Sequence, residues 1–93
     1  LLYILICEDK PNSEALRQSV RPKHLAYLEP FDIRFAGPML SPDNTTMIGS
    51  MIVIDATDQT AAETFAAGDP YRQSGLFEKV TIRGFKQIIP PAS

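Results

Sequence analysis

Two stretches of this 93-residue chain, Leu1 to Cys7 and Met47 to Ala56 with Met51-Ile52-Val53-Ile54 at its centre, are apolar on both strand parities. A strand sends successive side chains to opposite faces, so a run that is apolar on both parities belongs inside a sheet covered on both sides. A chain this short makes one domain, 1–93, with material for a single layer of helices. The other face of the sheet must then be covered by another subunit, and we expect a homodimer or a higher assembly of the same chain.

The segments between these runs set the order of elements. Glu8-Asp9-Lys10-Pro11-Asn12 is a polar turn, and Ser13 is placed to cap a helix that starts at Glu14. Pro22 interrupts the helical pattern that begins there. A proline inside a helix removes a hydrogen bond and costs about 3 kcal/mol, whereas the first turn tolerates it. The pattern therefore predicts a lead-in turn or short helix over 13–19 and a main helix from about Val20 to Glu29, with Leu16, Val20, His24 and Leu28 on the stripe that meets the sheet. After Pro30, Phe31, Ile33 and Phe35 alternate with Asp32 and Arg34 in a second strand, which Ala36-Gly37-Pro38 ends or bends. A loop over 41–46 leads to the third strand. Thr57 or Asp58 caps a second helix, with a capping box from Thr60 to Glu63 just inside it. Ala62, Phe65, Ala66 and Asp69 recur at helical spacing, so the apolar face of this helix ends in a carboxylate. Gly68 and Pro70 stop it, at most one further turn comes next, and Phe77 to Lys86 reads as a fourth strand ahead of the apolar tail Ile88-Ile89-Pro90-Pro91.

Strand, helix, strand, strand, helix, strand is the order of the ferredoxin-like α+β fold, βαββαβ, a four-stranded antiparallel sheet with two helices on one face. The helices lie antiparallel, so the first turns of one are expected beside the last turns of the other. That would bring His24, the single histidine and early in the main helix, to Asp69, the last position of the second helix. A carboxylate hydrogen-bonded to one imidazole nitrogen fixes the tautomer and leaves the other nitrogen to take or deliver a proton. Two readings of the pair stand: acid–base chemistry, or a structural link between two helices.

Composition narrows the partners. Nine basic and eleven acidic residues are spread along the chain for a net charge of −2, so there is no polycationic face and nucleic acid is not expected. The longest apolar run falls far short of the roughly 20 residues that span a bilayer, which predicts no membrane partner and a cytoplasmic protein. The one cysteine, Cys7, cannot close an internal disulfide and reads as a small buried residue; one histidine and one cysteine without ligand spacing make no metal site. Met39, Met47 and Met51 read as core or interface filling. The chain begins at Leu1, so an initiator methionine is expected to have been removed or left out.

The opening apolar strand, Arg21-Pro22-x-His24-Leu25, Ala36-Gly37-Pro38, Gly49-Ser50, Ala67-x-Asp69-Pro70-Tyr71 and the closing Phe85-Lys86, in that order, resemble the YCII-related (YciI-like) family over nearly the whole chain. The resemblance implies a ferredoxin-like fold that dimerises into an α+β barrel, similar to muconolactone isomerases and small antibiotic-biosynthesis-type monooxygenases. It also implies an active site on His24 and Asp69. Some relatives act as dehydrochlorinases or lactone-processing lyases on chlorinated aromatic breakdown products. The expectation is thus a lyase or isomerase without a cofactor, acting on a small organic molecule, with His24 as general acid or base and Asp69 orienting it. Arg21, facing an anionic group, with Gly37, Pro38, Ser50 and Tyr71, are the candidate substrate contacts. The link from the first helix to the second strand, Glu29 to Arg34, looks several residues shorter than the family's, which would trim the wall of a pocket there. The alternative is a non-catalytic small-molecule-binding or interaction module on the same dimer, and oxygen or haem chemistry is a third reading.

Overall fold

In the computed structural model, which describes residues 1–91, the chain runs β1 (Leu2–Asp9), α1 (Glu14–Leu28), β2 (Ile33–Leu40), β3 (Met47–Asp55), α2 (Gln59–Gly68), the one-turn α3 (Pro70–Gln73) and β4 (Phe77–Phe85). The sheet order is β2-β3-β1-β4, and every pairing is antiparallel. This is the α+β ferredoxin-like arrangement, and the two apolar runs supply its two inner strands.

Strand parity divides the sheet. Tyr3, Leu5 and Cys7 face the helices beside Ile54, Ile52 and Ser50, and the apolar ones among them join Ala62, Phe65 and Ala66 of α2 in the core. Leu2, Ile4 and Ile6 point the other way and are only half-buried. Phe35 and Phe85 share that open face, 58% and 44% exposed.

The helical layer departs from the sequence expectation in three ways. α1 runs unbroken through Pro22 instead of splitting there. Pro22 is on the exposed side, so the Gln18 carbonyl that loses its partner can bond water, and packing on either side of the proline holds the helix. Leu16 is 36% exposed, and Arg17, at 3%, takes the buried position on the stripe with Val20, His24, Tyr27 and Leu28. His24 consequently sits in the C-terminal half of α1. There the last turns of the two helices meet: Tyr27 Oη donates to the Phe65 carbonyl at 3.0 Å, and a Cβ on Gly68 would run into that hydroxyl.

Smaller differences reflect local chemistry. β2 continues through Ala36-Gly37-Pro38 to Leu40, because it is an edge strand and an edge tolerates a residue with no N–H to donate. Ser13 holds the N-cap position of α1 without a side-chain hydrogen bond. α2 is capped by Asp58, whose carboxylate accepts from the Ala61 N–H at 2.8 Å, in place of the Thr60–Glu63 box. Ile88 and Ile89 are exposed. Among the described residues no helix is long and apolar enough to cross a membrane.

Candidate active site

Asp69 stands at two helix ends. Its N–H bonds back to the Ala66 carbonyl, closing α2, while its carboxylate accepts from the Tyr71 N–H at 2.9 Å and so caps α3. A residue before proline is kept out of the helical region, and Asp69 has φ −64° and ψ 126°. Pro70 then fills the first helical position, where a missing N–H costs nothing. α3 ends in a Schellman motif: Gly75, at φ +81°, donates to the Arg72 carbonyl and Leu76 to the Tyr71 carbonyl, so both ends of this short turn are fixed.

That turn aims the carboxylate at α1. His24 Nδ1 lies 2.8 Å from Asp69 Oδ1, with both side chains under a tenth exposed. An ionised carboxylate only accepts, so Nδ1 carries the hydrogen. Nε2 has no hydrogen-bond partner, yet no fully buried side-chain nitrogen or oxygen among the described residues is unpaired, so Nε2 reaches open space. The His24 ring lines a cavity of about 200 Å³ between α1, β2, β3 and α3. His24, Arg21, Gly37, Pro38, Ser50 and Tyr71 all line it, and Asp69 stands behind the imidazole. Leu25, Leu28, Met47 and Ile52 supply apolar wall.

Sequence reasoning missed Arg17 and Asp9. Arg17 Nε and Nη2 donate to the two Asp9 oxygens at 2.7 and 2.8 Å, and Nη2 also donates to Ser50 Oγ at 2.9 Å. Burial works against the Arg17 charge, but the hydrogen bonds and attraction of Asp9 outweigh it and hold the guanidinium above its ordinary range. The signal was present in the spacing. Arg17 is seven residues before His24, two turns or about 10 Å along the same face, and Asp9 ends the strand that leads into that helix.

Tyr71 sits between the two. Its ring stacks on the His24 ring with centroids 3.9 Å apart and planes 18° off parallel, and the Arg17 guanidinium lies 4.6 Å from the same ring's centroid. Burial raises the Tyr71 hydroxyl above its usual range, although the Arg17 and Arg21 charges pull the other way. Burial, reinforced by the Asp69 charge, pushes the Cys7 thiol up to about 12, which leaves it without nucleophilic character. Among the described residues no three His, Cys, Asp or Glu side chains are grouped to share a metal ion.

Comparison with known proteins places this geometry among relatives. The model of the YCII-related domain matches residues 1–86. Protein YciI of Escherichia coli O6:H1 is 33% identical over 97 residues, covering 95% of this chain and 99% of its own. An uncharacterized protein of Haemophilus influenzae is 29% identical with the same coverage. The solved structure of TftG, a 5-chloro-2-hydroxyhydroquinone dehydrochlorinase from Burkholderia phenoliruptrix AC1100 in complex with 2,5-dihydroxybenzoquinone, is similar with a TM-score of 0.87 at 29% identity, over 96% of this chain and 97% of that one. SnoaB, a cofactor-independent oxygenase from Streptomyces nogalater, shares the fold with a TM-score of 0.62 at 14% identity, over 96% of each chain.

Proposed function

This chain belongs to the YCII-related domain family, and on that premise we propose that it is a small-molecule acid–base enzyme of lyase or isomerase type. His24 Nε2 is the atom that takes and returns the proton. The observation that carries this reading is an imidazole that lines the cavity with its Nδ1 committed to Asp69 and its Nε2 unpartnered.

The chemistry comes from that arrangement. Asp69 holds the ring in the Nδ1–H tautomer and stabilises the imidazolium formed when Nε2 takes a proton. Removing a proton from the carbon beside a carbonyl, or from the hydroxyl of a phenol, leaves negative charge on oxygen. Arg17, braced by Asp9 and joined to Ser50, is the donor set for that oxygen, fixed before the reaction begins. Dehydrochlorination, the activity named for the similar Burkholderia protein, is of this type: a proton goes to a base and chloride leaves. We further propose that a second copy of the chain covers the open sheet face to form a homodimer, and that the protein works in the cytoplasm.

The test uses 5-chloro-2-hydroxyhydroquinone as substrate and chloride release as the readout. Turnover is expected to fall about 10²- to 10⁴-fold in His24→Gln and in Asp69→Asn, with 2,5-dihydroxybenzoquinone still bound. Undiminished turnover in either variant would overturn the proposal. The rival, a non-catalytic binding module, predicts no chloride release from the wild type and ligand binding that survives His24→Ala.

A further inference from the structure

The cavity is charged in a way its apolar wall does not require. Arg17, Arg21 and His24 line it, and no carboxylate does; Asp9 and Asp69 stand behind Arg17 and His24 as their partners. Arg17 is thereby neutralised, and Arg21 is not. Among the described residues Arg21 has no ion pair and no side-chain hydrogen bond, and it sits exposed at the rim, one helical turn from Arg17 and one from His24. It lines the same cavity as Tyr71 and His24, which puts it on the cavity side of α1.

The space beyond it is small and mostly apolar. An apolar cavity of about 150 Å³ holds benzene, and this one, at about 200 Å³, has room for a single substituted ring. We propose that among ring-sized molecules this site prefers those that carry a carboxylate, seated on the Arg21 guanidinium at the cavity mouth with the ring inside; this rests on reading the cavity as the ligand site. The two arginines then divide the work. Arg17 meets charge that develops during reaction, and Arg21 meets charge the molecule already has. A single unopposed guanidinium suits a monoanion and can bind it through two parallel hydrogen bonds.

The experiment titrates the isotope-labelled full chain with sodium benzoate and with its neutral analogue benzamide, following the His24 and Tyr71 ring signals by NMR. Benzoate is expected to bind about tenfold more tightly than benzamide, and to weaken with added salt while benzamide does not. Arg21→Gln should abolish the preference and Arg21→Lys, which keeps the charge without the paired donors, should restore part of it. Equal affinities in the wild type, no shift at His24 with either probe, or a preference that survives Arg21→Gln would each overturn the inference. The same titration of Asp69→Asn separates the two proposals: the carboxylate preference should persist there even though proton transfer is lost, so either one can fail without the other.

Discussion

A buried thiol reports on its surroundings through the pH at which it ionises. Cys7 is held near 12 against an ordinary 9.0, so the folded protein keeps a proton that the unfolded chain gives up. The raised value means that its contribution to stability is intact below pH 9 and is lost as pH climbs toward 12, at up to about 1.4 kcal/mol per pH unit. Urea midpoints measured on either side of pH 9 should fall on the alkaline side, and the fall should be shallower in Cys7→Ala. It should not vanish, because Tyr27 and Tyr71 are also raised by burial. An identical slope in Cys7→Ala would contradict the assignment. At this scale His24 and Asp69 were legible because each is an ionisable group on an apolar stripe. Arg17 was passed over, since Leu16 fits the same stripe by hydrophobicity; its spacing from His24 is visible in the chain, but the bonds to Asp9 and Ser50 that favour the guanidinium are made only in three dimensions.

At the scale of elements, a local rule lost to tertiary packing. A mid-helix proline costs about 3 kcal/mol in an isolated helix, which is why the sequence alone argued for two pieces. Arg17 is anchored before it and His24 after it, and both anchors need one continuous helix to stay in register. The cost should therefore still be present. Pro22→Ala is expected to stabilise the protein by about 1–2 kcal/mol in urea denaturation, less than the isolated-helix figure because the unfolded chain regains freedom. A loss of stability would mean that the proline ring makes a contact the protein depends on. β2 went the other way: Gly37-Pro38 looked like a strand end, and nothing local reveals that a strand lies at the edge of its sheet, where the missing N–H is harmless.

For the whole molecule, the topology was readable from the order of apolar runs, while the route by which the site assembles was not. His24 and Asp69, 45 positions apart, meet where two helix ends come together and the Asp-Pro turn redirects the carboxylate. The chain also exposes 6021 Å², whereas size scaling gives about 5,400 Å² for a monomer of its 10.3 kDa mass. The excess fits an open sheet face that carries Phe35 and Phe85. Light scattering should give about twice the 10.3 kDa chain mass, and Phe35→Glu should return the protein to a monomer; a wild type monomeric at high concentration would contradict the proposed dimer. The central claim is narrower and concerns one ring nitrogen. A two-bond ¹H–¹⁵N correlation spectrum of the wild-type protein, recorded where the ring is neutral, should show His24 as a single tautomer with hydrogen on Nδ1 and a bare Nε2; hydrogen on Nε2, or an even mixture of tautomers, would contradict it.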